Sequence, residues 1–247
     1  MKQELVITDV TRMQEGRVCV AGYNRKRKCM RPVLPYTGIR ESSLYVNEKP
    51  IVFPFAVVEY DLLEHLVKPP HTEDWRYDPA SVRFVKRLTE KEKRETLTRL
   101  CDPNVSAIFG TPIVTAQGNY VLAGKGKRSL GTIQPSRILE VIYEQMDDAW
   151  KYRLLFSDKK RQTWRLTITD LAWRYFCDLQ RQVGKSPRKI ASELISKLGS
   201  SQVYLRIGLA RGWKEHPDRC YLQITGVYTF PEYLEGRTFA DFVPRPQ

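Results

Sequence analysis

The chain has 247 residues, 42% of them hydrophobic and 11% aromatic, and a formal net charge of +13. That composition fits a packed globular protein and excludes a disordered or low-complexity chain. No run approaches the roughly 20 apolar residues that cross a bilayer, and the start, MKQELVITDVTRMQEG, carries charge where a signal peptide needs its apolar segment, so a soluble cytoplasmic protein with no membrane partner is expected.

From the amino end, Leu5–Val10, Arg17–Tyr23, Cys29–Val33 and Ile51–Tyr60 are short β-prone runs separated by turn-forming or charged segments. The second and third flank NRKRK, a hairpin tip with four consecutive cations, Arg25, Lys26, Arg27 and Lys28. After Lys68-Pro69-Pro70, the polar segment HTEDWRYD reads as an ordered loop anchored by Trp75 and Tyr77. Thr89 followed by Glu92 is a capping-box signal for a solvated helix over 90–101. Short strands are expected at Ile113–Ala116, Tyr120–Ala123 and Leu130–Gln134, while Ile138–Glu144 is apolar with no decisive period.

The second half opens with another hairpin. Tyr152–Phe156 and Thr163–Thr169 flank SDKKRQ, and Trp164, Leu166 and Ile168 alternate with Arg165, Thr167 and Thr169, giving one core face and one wet face. Asp170 is placed to cap a helix reaching Gln182, and Ser186-Pro187 opens a second that ends at Leu198-Gly199. Val203–Leu209 and Cys220–Tyr228 are the last strands, and the tail is expected to dock through Tyr233, Phe239 and Phe242. The fold class that follows is mainly β with helical insertions (α+β), arranged as two tandem small β-barrels. The expected division is a first barrel with a helix and loop insertion over 1–147 and a second with a helical insertion over 148–247.

RVCVAG with the following RPV, then HTEDW, LTITDLAWR, LRIGLAR and CYLQITGVYTFPEY, together resemble the bacterial dual OB domain-containing proteins. The resemblance covers most of the chain and is weakest over 80–130. It implies two OB-like barrels, without fixing a ligand, because fold does not dictate function.

The excess charge lies mainly in the second half: residues 152–247 carry 17 Lys and Arg against 9 Asp and Glu, and residues 1–151 carry 24 against 19. A basic balance favours a polyanion, since Lys and Arg neutralise phosphates and release counterions. A single tip such as Arg25–Lys28 reads equally as a phosphate grip or as a solvated turn that discourages strand pairing. The matching tip Lys159, Lys160, Arg161 favours phosphate contact. On the expected wet face of the second barrel, Arg165, Arg206 and Gln223 offer cations and polar groups, and Tyr204 and Tyr221 offer rings for bases; the alternative is that both tyrosines lie beneath the helices. The loop Gly208–Lys214 presents Arg211 and Trp213 as a base clamp or, in the commoner case, a tryptophan that pins its own loop.

The expected function is therefore non-catalytic binding of nucleic acid, DNA or RNA in single-stranded form. A second reading is a protein interaction module of a larger complex, drawing on Leu171, Tyr175, Leu179, Ile190 and Leu194. A third is a metal-dependent nuclease or nucleotide-processing enzyme built on His71-Thr72-Glu73-Asp74. An ordered loop whose carboxylates satisfy backbone donors explains that cluster equally well. Gly118–Lys125 departs from a phosphate loop in spacing and lacks the Ser or Thr after its lysine. Cys19, Cys29, Cys101, Cys177 and Cys220 are odd in number and form no CxxC pair. With three histidines only, no cofactor and no metal are expected.

Overall fold

The computed structural model describes residues 1–244. The first half contains β1 (Lys2–Arg12), β2 (Arg17–Tyr23), β3 (Cys29–Val33), β4 (Ile39–Arg40), the small pair β5 (Tyr45–Val46) and β6 (Lys49–Pro50), β7 (Ala56–His65), β8 (Asp74–Tyr77) and β9 (Arg83–Arg87). β1 pairs with β2, β2 with β3, β3 in parallel with β8, β8 with β7, and β7 back with β1. The circuit closes a five-stranded barrel and leaves no free edge among those strands. Leu5, Ile7, Val20, Val58 and Tyr60 fill it.

Two local expectations change. Phe55 holds φ at 66°, a conformation no strand accommodates, so the expected run from Ile51 becomes a strand only at Ala56. The HTEDW segment is half loop and half strand, because Asp74, Trp75 and Arg76 pair with Arg31, Pro32 and Val33. A parallel partner far away in sequence leaves no local signature.

Helix α1 (Glu90–Arg99) begins as the sequence indicates: Thr89 Oγ1 accepts from the Glu92 amide at 3.3 Å, and the Thr89 amide donates to Glu92 Oε2 at 2.8 Å. The chain then enters the second sheet through β10 (Cys101–Asp102), β11 (Tyr120–Leu122), β12 (Leu130–Ile133), β13 (Arg137–Met146), β14 (Ala149–Ser157) and β15 (Thr163–Ile168). The expected strand at Ile113–Ala116 reduces to a single bridge, Val114 with Tyr120. Helices α2 (Leu171–Gln182) and α3 (Pro187–Gly199) precede β16 (Gln202–Leu209) and β17 (Arg219–Phe230). Asp170 caps α2 by accepting from Ala172 and Trp173, and Ser186 caps α3 with Pro187 at its first position.

β13, β14, β15, β17 and β16 follow one another in the same order as β1, β2, β3, β8 and β7 of the first barrel, again with the third and fourth parallel. The last seam differs. Where β1 pairs with β7, the corresponding β13 packs against α3, and β16 gives its free edge to β12. The second barrel is therefore open, with helices filling the gap. The β13–β14 hairpin spans residues 147 and 148, so strands on both sides of that point share one sheet.

Leu171, Tyr175, Ile190 and Leu194 are buried, and Leu179 packs on the same core, so the apolar faces of the helical insertion are spent within the chain's own core. Tyr233, Phe239 and Phe242 dock as expected, with Trp173 5.5 Å from Tyr233 and Phe176 5.4 Å from Phe242. Among the described residues no helix is long and apolar enough to cross a membrane.

Candidate nucleic-acid interface

The two basic tips are the same turn built twice. In the first, the Asn24 amide donates to Lys28 O and the Arg27 amide to Asn24 O; in the second, the Asp158 amide donates to Gln162 O and the Arg161 amide to Asp158 O. Asn24 Oδ1 accepts from the amides of Lys26 and Lys28, both at 3.0 Å, and Asp158 Oδ1 from those of Lys160 and Gln162, at 2.9 and 3.2 Å. Each turn joins the second and third strands of its barrel. Each also places an arginine in the left-handed region, Arg27 at φ 61° and Arg161 at φ 63°. Glycine or asparagine would sit there with less strain. All of Arg25, Lys26, Arg27, Lys28, Lys159, Lys160 and Arg161 are exposed.

The first tip borders an open groove. Its walls are Val6, Tyr23, Asn24, Arg25 and Arg27 on one side and Thr96, Arg99 and Leu100 from the end of α1 on the other. Arg25 pairs with Glu4 at 2.8 Å, and Arg99 with Glu95 at 3.3 Å, both near the surface. Leu100 leads directly to Cys101, where burial pushes the thiol pKa up and the nearby Lys159 ammonium opposes the shift. Arg99 and Thr96 were not legible as site residues, because a helical Glu95–Arg99 pair reads as ordinary solvated helix surface.

The wet face expected on β16 is corrected. Arg206 is fully buried between the two barrels: Nη2 donates to Asp9 Oδ2 at 2.9 Å, Nε to both Asp9 oxygens, and Nη1 to Tyr23 Oη at 2.9 Å and Thr132 Oγ1 at 2.8 Å. Burial disfavours its charge, but the Asp9 carboxylate overrides this and holds it protonated. Tyr204 is buried too, edge-on to Phe230, with its hydroxyl 2.7 Å from Thr98 Oγ1. The face looked wet because its residues are polar; the first barrel covers it with polar partners. Arg165 does point outward from β15, and Gln223 is half-buried.

Arg211, Trp213 and Tyr221 meet around a loop that sequence alone did not complete. Arg211 Nη2 donates to Asp74 Oδ2, Trp213 remains 54% exposed, and Tyr221 is half-buried on β17. His216, Tyr120 and Arg219 join them. The same Asp74 accepts from Arg31 Nε at 2.6 Å, and Arg31 Nη2 lies 2.9 Å from His71 Nδ1. Burial first, then the Arg31 and Arg211 cations, push the His71 pKa down to about 2. Glu73 accepts from the Ser129 amide at 2.6 Å and its hydroxyl at 2.9 Å. Both carboxylates of the HTED cluster are therefore held in a buried junction between the barrels. Among the described residues no group of three or more His, Cys, Asp or Glu side chains is arranged to hold a metal ion.

In the basic loop Gly124–Arg128, Arg128 is committed to Asp102 and to Ile108 O, and the carbonyl of Lys127 accepts from Thr72 Oγ1. A family model described as a dual OB-containing domain matches residues 3–227. No curated protein matches the chain.

Proposed function

The chain belongs to the dual OB-containing domain family, and from that premise we propose that it binds single-stranded nucleic acid without catalysing a reaction. OB folds commonly bind nucleic acids, which makes this ligand class the natural one for a basic member. The observation that carries the reading is the repeated turn with an arginine in the left-handed region. Each arginine stands where the backbone favours glycine or asparagine, at a conformational cost of about 1–2 kcal/mol, and adds a cation at the corner of its turn. Seven exposed cations on two equivalent turns, with Arg99 along the groove beside the first, supply the positive charge that a phosphate track needs.

Titration of a labelled 20-nucleotide single strand at two ionic strengths tests this. Binding that weakens steeply with salt is expected, with little discrimination among sequences. Replacing Lys159, Lys160 and Arg161 by Ala lowers the affinity and reduces the salt slope by about one unit for each phosphate no longer neutralised. Absence of binding at low salt overturns the reading.

A further inference from the structure

We infer that the loop between β16 and β17 carries a stacking station for a flat heteroaromatic ring, a nucleobase, with Trp213 as its platform. This rests on the nucleic-acid reading and names what takes the bases while the turns hold phosphates.

Trp213 exposes 54% of its surface on a loop that is not loose. The His216 amide donates to Trp213 O at 2.9 Å, the Arg219 amide to His216 O at 3.2 Å, and the Ala210 amide to Tyr221 O at 2.8 Å. Gly212 lies so close to the returning limb of the loop that a Cβ there would stand 2.1 Å from Pro217 O. Arg211 fastens the base of the loop to Asp74 of the first barrel. The loop backbone is thus fixed, while the indole it carries stays more than half in water.

Among the described residues no ring stacks on it. His216 meets Trp213 in a T-shaped contact at 5.8 Å and 64°, so the imidazole does not stack on the indole. Behind His216 come Tyr221, at 6.3 Å, and Tyr120, 5.5 Å beyond. The Arg219 guanidinium lies 5.0 Å over Tyr120 and donates to Tyr221 Oη at 3.3 Å, which fixes the rear of the cluster. Lys214, exposed next to Trp213 in the chain, and Arg211, half-exposed and paired with Asp74, bring cations to the same loop. A pre-positioned aromatic face beside cations suits a ring that carries a phosphate.

The test compares a 12-nucleotide thymidine strand with an abasic strand of the same length and charge, titrated into the full chain and into Trp213→Ala and Trp213→Phe. Expected is tighter binding of the thymidine strand by the unaltered protein, accompanied by tryptophan quenching. Its affinity falls about tenfold in Trp213→Ala, is largely kept in Trp213→Phe, and the abasic strand does not distinguish the three proteins. Equal binding of both strands, or an unchanged affinity in Trp213→Ala, overturns the station and leaves the phosphate track standing. Failure of both strands to bind overturns the station and the nucleic-acid reading together.

Discussion

Asn24 and Asp158 occupy the same corner of two equivalent turns, each turning one side-chain oxygen onto the amides two and four residues ahead. Asp158 does more. Its Oδ2 also accepts from the Trp164 indole at 3.1 Å and from the Val105 amide at 3.3 Å, so the second turn is tied into the core of its barrel, while the first is tied to the surface of β1, where Asn24 Nδ2 donates to Gln3 Oε1 at 3.1 Å.

That difference sets the cost of truncation. Asp158→Ala strands a buried indole N–H and a buried amide, each worth about 1–3 kcal/mol, and a loss of about 2–4 kcal/mol in urea unfolding is expected. Asn24→Ala, at a half-exposed position, is expected to lose about 1 kcal/mol.

Arg27→Gly and Arg161→Gly separate folding from binding. Relief of the left-handed conformation offsets the added freedom of the unfolded chain, so thermal unfolding is expected to stay within about 1 kcal/mol of the parent protein or to improve. Oligonucleotide affinity and salt slope both fall. A drop in stability with unchanged affinity would mark the two arginines as purely structural.

Arg206→Met is expected to behave in the opposite way. It leaves the Asp9 carboxylate buried without its cation, at a cost of about 3–5 kcal/mol measured by denaturant unfolding. The salt slope of oligonucleotide binding is unaltered, because Arg206 reaches no solvent.

Protonation of His71 opposes folding. Its folded pKa of about 2 lies below the ordinary 6.5, so between these values the unfolded chain binds the extra proton, and the stability that His71 contributes is present above pH 6.5 and is lost as pH falls. Asp170 acts with the reverse sign: burial raises it from 3.8 to about 6 against the hydrogen bonds it accepts from Val227, Trp173 and Ala172, so its contribution is present below 3.8 and is lost as pH rises through 6. The two oppose each other between about pH 4 and 6. In His71→Gln only the Asp170 contribution remains, and the advantage of the parent protein over the variant is expected to shrink by about 1.4 kcal/mol per pH unit below 6.5. Urea midpoints from pH 7.5 to 4.5 check it; a constant difference would remove His71 from the linkage.

Local signals are legible where the physics is local. The capping box at Thr89, the cap at Asp170 and the alternation from Thr163 to Ile168 involve neighbours within four residues, and the structure reproduces each. The cationic turns are legible as turns and as equivalents, though not the oxygen that organises them. What stays illegible depends on distant partners. Asp74–Tyr77 becomes a strand between β3 and β7, and Arg99 becomes a groove wall only because α1 ends beside the first tip.

Sequence by itself determined the faces of the strands, the starts of the helices, the two basic turns and the surplus of positive charge, since side-chain period, capping and composition are properties of short stretches. Tertiary structure alone decided which polar face is dry. Arg206 alternates with apolar residues as an outward cation would, yet its carboxylate is supplied by Asp9, 197 positions earlier, once β1 packs across β17. A buried ion pair and a solvated arginine satisfy the same local pattern, and they are told apart only by what the rest of the chain brings to cover them.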